Sequence, residues 1–218
     1  MISQKDAIFV KNRDGRMGQS IESAVKNRVT DHGRGWCFTP MHFSDLGSDA
    51  SIRKALSQLQ KQNVIRRLAQ GVYDYPKTHD LLGLIPPDLN EVAKAIAEKN
   101  GVQIQSAGAY AANLVGLSVQ VPGRVIFLTE GPSRKVKIGN QEIIFKKATK
   151  KVMSSAGTRE GLLIQALKNL GKDHIDQTAR TQISKFLKGS SEKEVRQNMK
   201  FAPVWIRALV FEMMELKP

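Results

Sequence analysis

The chain has 218 residues, of which 41% are hydrophobic, and its 34 Lys and Arg against 20 Asp and Glu give a formal net charge of +14. That length suffices for one large domain or two smaller ones, and the excess of cations favours a polyanionic partner, nucleic acid before an anionic membrane surface. The sequence contains no run of about 20 apolar residues, which excludes a membrane-spanning helix of ordinary length.

Two features indicate the cellular compartment. The N-terminal residues lack the apolar segment of a signal peptide, so we do not expect secretion. The single cysteine, Cys37, cannot form an internal disulfide, which fits a reducing environment. We therefore predict a cytoplasmic protein. Because the neighbours of Cys37 in the sequence are apolar, we expect a buried structural thiol rather than a nucleophile.

The first residues of the chain differ in pattern from those that follow. Residues 1–19 are polar and interrupted by glycines, and we interpret them as a flexible N-terminal arm or a short leading helix. Ser20 is a good N-cap for a first helix. Residues 36–38 are a short apolar strand candidate. Residues 40–46 begin with proline, which is typical of the first turn of a helix, so a short second helix is predicted there.

A basic helix followed by a hairpin is predicted over residues 48–75. Its apolar residues recur at the spacing of one buried helix face, and this set is Ile52, Ala55, Leu56 and Leu59. Two β-prone runs, 64–68 and 72–75, are joined across Gly71, which can take the positive φ of a tight turn. The order helix, strand, helix, helix, hairpin is typical of a winged helix-turn-helix, and we assign residues 20–76 to this N-terminal domain.

The outward residues of this helix and hairpin have the chemistry of a DNA interface. Lys and Arg neutralise phosphates, and polar side chains near the start of a recognition helix reach base edges in the major groove. The hairpin would contact the backbone or the minor groove. The alternative to a DNA interface is a solvated basic helix in a small domain that shares this pattern. The predicted DNA-binding residues are Ser51, Arg53, Lys54, Ser57, Gln58, Lys61, Arg66, Arg67 and Gln70.

The rest of the chain is predicted to form a second domain. Residues 77–87 are punctuated by proline and glycine and are interpreted as a linker whose leucines pack on a neighbouring surface. Residues 88–218 are assigned to a mixed α/β domain with a mainly helical C-terminus. The patterns predict helices over 89–100, 158–170, 175–187, 192–199 and 203–216, a small-residue helix capped by Ser106, strands over 102–104 and 124–129, and a hairpin over 134–147. The last helix is apolar on most faces, which predicts a central core position. The fold class is α+β.

A second group of cations lies on the predicted C-terminal hairpin and just after it. These cations would extend the DNA path, bind RNA or contact an acidic partner. An alternative with equal weight is that these residues are a solvated hairpin edge, where lysines protect against strand-to-strand aggregation. The residues of this second basic patch are Arg134, Lys135, Lys137, Lys146, Lys147, Lys150 and Lys151.

Catalytic and metal-binding motifs find little support. The histidines are scattered over different segments, without an H-E-x-x-H motif or a Cys/His metal spacing. Gly47-Ser48 is similar to the opening of a nucleotidyltransferase motif, but the pair of alternating carboxylates that would hold Mg²⁺ does not follow it. We therefore predict that the protein is not an enzyme and has no metal site or cofactor.

Two stretches resemble a known family. SIRKALSQLQKQNVIRRLAQGVYDYP and SAGAYAANLVGLSVQVPGRVIFLTEGPSRKVKIGNQEIIF are similar to the AbiEi-like antitoxins of bacterial abortive-infection systems, which are type IV toxin–antitoxin systems. The specific parts are the R-x-x-x-G-x-Y pattern of the hairpin, present as Arg67, Gly71 and Tyr73, and the AYAANLVGL helix. The similarity covers residues 20–150 and extends more loosely into the helical C-terminus.

The resemblance implies a winged helix that represses its own operon and a C-terminal domain that counters a nucleotidyltransferase-like toxin encoded alongside it, with no need for direct binding to that toxin. We therefore expect a repressor and antitoxin that binds double-stranded DNA at its own promoter and no membrane, with cooperative binding of monomers to DNA repeats as one mode of assembly. The alternatives are a nucleic-acid-binding enzyme, or a ligand-responsive regulator, whose activity lies in the C-terminal domain.

Overall fold

The computed structural model describes residues 19–216, which fall into two compact units, the first ending at Lys99 and the second beginning at Asn100. The protein belongs to the α+β class. The N-terminal arm predicted for residues 1–19 lies, except for Gln19, outside the described residues. Within the described part of the chain, no helix is long and apolar enough to cross a membrane.

The first unit contains all nine residues predicted to bind DNA. In chain order it consists of α1 (Ile21–His32), β1 (Cys37–Phe38), a 3-10 helix (Pro40–Phe43), α2 (Asp49–Lys61), β2 (Arg66–Ala69), β3 (Val72–Asp74), β4 (Thr78–His79), β5 (Gly83–Leu84) and α3 (Leu89–Lys99). The predicted cap of α1 is confirmed, since the Oγ of Ser20 accepts a hydrogen bond from the backbone N–H of Ser23. The second helix is a four-residue 3-10 turn instead of a helix that reaches Leu46. The backbone N–H of Thr39 donates to Nδ1 of His42 and closes this tight turn.

The strands of the first unit form an antiparallel sheet in the order β1-β3-β2. Tyr73 of β3 pairs with Phe38 on one side and with Arg67 on the other. The hairpin between β2 and β3 turns at Gly71, whose φ of +68° lies in the left-handed region that favours glycine.

The core of the first unit lies between α1, α2, the 3-10 helix and the sheet. It is formed by Ile21, Val25, Val29, Phe38, Phe43, Ile52, Ala55, Leu56, Leu59 and Ile65. Cys37 is also buried, as predicted. Burial raises the pKa of its thiol to about 12, so the group is a neutral packing residue near pH 7 and not a thiolate.

Helix α3 belongs to the first unit, although the sequence places the domain boundary at residue 88. It contacts β1 and β3. The predicted linker, residues 77–87, contains the two-stranded hairpin β4–β5. Leu81 at its tip is 89% exposed, and Leu82 and Leu84 are also exposed. The expectation that these leucines pack on a neighbouring surface is therefore wrong, because all three are exposed. Within residues 19–216, β4 and β5 pair with each other and with no other strand.

The second unit combines a four-stranded sheet with helices. It consists of β6 (Ile104–Ala107), α4 (Gly108–Val115), β7 (Arg124–Thr129), β8 (Arg134–Ile138), β9 (Gln141–Lys147), α5 (Lys150–Met153), α6 (Arg159–Leu170), a 3-10 helix (Lys172–His174), α7 (Gln177–Leu187), α8 (Glu192–Asn198) and α9 (Val204–Met213). The sheet order is β6-β7-β9-β8, with β7 and β9 parallel and the other pairs antiparallel. The predicted cap at Ser106 is wrong, since this residue lies within β6 and α4 starts after Ala107 without a side-chain cap.

The central helix of the second unit is α6. Leu163, Ala166 and Leu167 are fully buried, and the buried carboxylate of Glu160 accepts hydrogen bonds of 2.7 Å from Ser190 and from Asn198. The expectation that the last helix is central is wrong, because α9 buries only one of its apolar faces.

A substitution at Gly161 tests the close packing around α6. A Cβ at this position would collide with the backbone carbonyl oxygen of Ser155 and lie 3.0 Å from Oε1 of Gln105. We expect Gly161→Ala to lower the free energy of unfolding by about 2 kcal/mol or more. The control is Gly123→Ala, whose Cβ would meet no atom within 4 Å and which should stay within about 0.5 kcal/mol of the wild type. Equal stability of the two variants in chemical denaturation would contradict this packing.

Candidate nucleic-acid interface

Helix α2 presents a cationic side away from the core. Its buried residues, Ile52, Ala55, Leu56 and Leu59, occupy one face, and the opposite face is left to polar groups. The side chains of Arg53, Lys54, Ser57 and Lys61 are exposed, whereas Gln58 is half-buried at the border. The structure therefore brings four of the predicted residues together on one surface.

Two residues at the start of α2 are already engaged with neighbours on the same helix. The backbone N–H of Ser51 donates to Oγ of Ser48 at 3.3 Å, and the two hydroxyls lie 2.9 Å apart, so Ser51 contributes to the helix cap. The guanidinium of Arg53 lies 3.4 Å from the carboxylate of Asp49, and both side chains are more than 70% exposed (72% and 82%). An ion pair this exposed contributes little to the stability of the protein, so Arg53 can exchange Asp49 for a phosphate at little cost.

A cleft of about 660 Å³ continues from α2 onto the hairpin. Its cations are Arg53 from α2, Arg67 from β2 and Lys99 from the end of α3, and Gln70 lies at the hairpin turn. The ammonium of Lys99 is 3.2 Å from the position that a Cβ on Gly71 would occupy, which places it directly against the turn. Asp49 is the acidic residue among those that line the cleft.

Lys99 is a candidate that the sequence reasoning missed. It follows the hairpin turn by 28 positions (71 to 99), and its helix was assigned to the other domain. The amphipathic pattern of α3 indicates that one face is buried, but not which element covers it. Only the packing of α3 on β1 and β3 places its C-terminal lysine at the hairpin.

Arg66 is half-buried, unlike the other predicted cations, and its guanidinium is engaged within the protein. Its Nε and Nη2 donate to the two carboxylate oxygens of Asp74 at 3.1 and 2.6 Å, and Nη2 also donates to the backbone carbonyl of Ile85 at 3.1 Å. The Asp74 side chain is 2% exposed, and its hydrogen bond raises the pKa of Arg66 above the ordinary value. Arg66 therefore holds the sheet together and is removed from the interface, while the adjacent Arg67 remains exposed.

The second basic patch is divided between two faces of the sheet in the second unit. Directly paired residues share a face, and β8 and β9 pair Arg134 with Phe145 and Lys135 with Ile144. By this register Lys135, Lys137 and Lys146 lie on one face, and Arg134 and Lys147 on the other. The Arg134 guanidinium lies 5.0 Å from the centre of the Phe145 ring. Lys150 and Lys151 follow on α5. The hairpin cations of the second basic patch, which we expected to lie together, are therefore divided between two faces of the sheet.

The histidines of the first unit make structural contacts. Nε2 of His42 lies 2.9 Å from a carboxylate oxygen of Glu98 and links the 3-10 helix to α3. His32 stacks on Trp36 with ring centres 3.8 Å apart. Among residues 19–216, no group of three or more His, Cys, Asp and Glu side chains could hold a metal ion.

The fold and the site define an α+β protein with a cationic helix–hairpin surface in its first unit. The chain belongs to DUF6088, a family of unknown function, whose family model matches residues 24–195. That range includes α2, the hairpin and every residue that lines the cleft. No curated protein matches the chain at a significant level.

The adjacent arginines of β2 should respond differently to the same substitution. Arg66→Ala leaves the buried Asp74 carboxylate without its cation, and we expect the free energy of unfolding to fall by about 3 kcal/mol. Arg67→Ala removes an exposed side chain and should change the stability by about 0.5 kcal/mol or less. Urea unfolding monitored by circular dichroism measures both. If the two variants are equally stable, the roles assigned to the two arginines are incorrect.

Proposed function

We propose that the protein is a DNA-binding transcriptional regulator whose first unit is a winged helix-turn-helix, with α2 as the recognition helix and the β2–β3 hairpin as the wing. One observation carries the proposal. The side of α2 that faces away from the core presents Arg53, Lys54, Ser57 and Lys61 together, and the cleft beside it extends this cationic surface onto the hairpin.

The order and size of the elements support this function. Helix, strand, short helix, helix and hairpin follow one another, and the three strands pair in the order β1-β3-β2, which supports the winged helix-turn-helix that we propose. Helix α2 has 13 residues. Its length is therefore about 20 Å, and the major groove of B-DNA, about 12 Å wide, admits a helix of this kind.

The charge of the surface supports a polyanionic partner. The cations of α2 and the cleft include Arg53, Lys54, Lys61, Arg67 and Lys99. Within residues 19–216, the carboxylate that lies within salt-bridge distance of this set is Asp49, in its exposed pair with Arg53. Phosphates neutralised by Lys and Arg release condensed counterions, so such a surface binds DNA with an affinity that falls steeply with salt. Ser57 and Gln70 supply the neutral hydrogen-bonding groups that read base edges or sugar–phosphate oxygens.

The biological role that we propose is repression of the protein's own operon, combined with the antitoxin function of a toxin–antitoxin system. Support for it comes from the sequence similarity of residues 51–76 and 106–145 to AbiEi-like antitoxins. In this proposal the first unit binds the promoter, and the second unit counters a nucleotidyltransferase-like toxin without a need for direct contact with it.

Removing three cations from the candidate interface should abolish specific binding. We expect Arg53→Ala/Lys54→Ala/Arg67→Ala to weaken binding to the DNA upstream of the protein's own gene by about a hundredfold or more. Each lost base contact costs about 1–3 kcal/mol of binding free energy, and each lost phosphate contact reduces the dependence of the affinity on salt. Fluorescence anisotropy at several salt concentrations measures the affinity and the slope.

The matched control removes the same charge elsewhere. Lys168, Lys172 and Lys188 are exposed cations of the second unit, and the corresponding triple alanine variant should lose no more than about threefold, through screened long-range attraction. Equal losses in the two triple variants would show that net charge alone governs binding. If the wild-type protein shows no preference for the upstream DNA, the regulatory function is refuted.

The antitoxin role predicts that repression and neutralisation separate. When the protein is co-expressed with the nucleotidyltransferase-like toxin that this proposal expects to be encoded beside it, the Arg53→Ala/Lys54→Ala/Arg67→Ala variant should still restore growth. The same variant should no longer repress a promoter reporter, since the changes leave the second unit intact. Loss of growth rescue at equal protein levels, or an absence of rescue by the wild type, would contradict this division.

A further inference from the structure

Helix α9 buries one side in the core and leaves an apolar stripe only partly covered on the other, where Phe211 is half-buried and Val204 and Ala208 are exposed. Ile206, Leu209 and Val210 are buried in the core of the second unit. Val204, Ala208 and Phe211 recur at i, i+4 and i+7, which places them on the opposite side of the helix. Val204 is 73% exposed, and Ala208 is also exposed. A helix that is apolar on most sides is expected to be covered on most sides, so the outer face calls for a partner.

The outer face is the floor of a groove of about 600 Å³. Leu216 extends the apolar floor beyond the end of α9, and the cations Arg196, Lys200 and Arg207 line the groove. The acidic residue among the lining residues, Glu212, is already paired with Arg180 at 2.9 Å. The surface is therefore an apolar stripe with positive charge beside it.

The cations of the groove differ in their availability. The guanidinium of Arg196 donates to Glu192 at 2.8 Å and lies 5.2 Å from the centre of the Phe211 ring, so it covers one side of that ring. Lys200 lies 5.5 Å from the exposed Phe201 ring, and neither it nor Arg207 has a carboxylate within salt-bridge distance in the described part of the chain. These two charges remain for an incoming anion.

We propose that this groove binds an amphipathic acidic helix of another protein. The apolar floor matches the hydrophobic stripe of such a helix, and carboxylates flanking that stripe would meet Lys200 and Arg207. A second copy of this chain is disfavoured by charge, because each copy has a net charge of +14. Nucleic acid is disfavoured by the floor, since Val204, Ala208 and Leu216 provide neither charge nor hydrogen bonds. The proposal is independent of the DNA-binding function.

The test uses the full-length chain and a fluorescent peptide of about 14 residues, with leucines at i, i+3, i+4 and i+7 and glutamates on the flanking positions. An isomer with the same composition but with the leucines distributed around the helix measures attraction by charge alone. We expect the amphipathic peptide to bind at least about tenfold more tightly than its isomer in fluorescence anisotropy at physiological salt.

Two double variants locate the binding site. Val204→Ser/Arg207→Ala should weaken binding of the amphipathic peptide by about tenfold. The matched control is Val119→Ser/Lys172→Ala, because Val119 is 96% exposed in the loop before β7 and Lys172 is exposed, and this control should bind like the wild type. Circular dichroism verifies that both variants are folded.

Four results would overturn the proposal. Equal binding of the two peptides would mean that charge alone attracts them, and unchanged binding by Val204→Ser/Arg207→Ala would place the site elsewhere. A wild-type dimer in sedimentation velocity that this variant dissolves would identify a second copy as the occupant. A DNA duplex that displaces the peptide, combined with weaker DNA binding by the same variant, would identify the face as a nucleic-acid surface.

Discussion

The burial of one face of α2 is the constraint on which the candidate interface depends. Ile52, Leu56 and Leu59 are almost completely buried against α1 and the aromatic rings around Phe43, so the helix cannot rotate about its axis without exposing them. Burial of side chains of this size contributes about 1.5–3 kcal/mol each. Since the helical repeat is fixed, the same packing decides which residues point outward. The cations of α2 share a surface because leucine and isoleucine occupy the other side.

The two strands of the hairpin are held together by a different kind of interaction. Asp74 lies on the central strand and pairs with Cys37 in the sheet on one side and with Arg66 on the other. Its buried carboxylate forms two hydrogen bonds with Arg66, which also reaches the carbonyl of Ile85. Loss of either partner would leave the other charge without its counterion, and this is most costly for the buried Asp74 carboxylate. The neighbouring Arg67 and the turn residue Gln70 remain exposed and line the same cleft as Arg53 of α2.

How much the sequence predicts depends on whether a feature is local. The cap at Ser20, the buried stripe of α2 and the turn at Gly71 follow from spacing and from the chemistry of single residues, and the structure confirms them. Two adjacent arginines cannot be distinguished in this way. Arg66 is recognised as structural only when Asp74 and Ile85 are in place, eight and nineteen positions away.

Long-range packing accounts for the other features that the sequence did not predict correctly. Lys99 reaches the hairpin only because α3 packs on β1 and β3. The second basic patch forms one cluster along the sequence, but alternation in the strands places its members on opposite faces. The apolar pattern of α9 shows that both sides are hydrophobic and does not show that α6 already occupies the centre. Pattern thus indicates which face is apolar, whereas packing determines which element covers it.

The central claim is that α2 and the β2–β3 hairpin form the surface that meets DNA. Titration of the isotope-labelled full-length protein with the DNA upstream of its gene, followed residue by residue in NMR spectra, tests this most directly. The account predicts that the amide signals of Arg53, Lys54 and Ser57 and those of the turn around Gly71 shift most and saturate at one protein per site. Shifts confined to the second unit, or absent from α2, would contradict it.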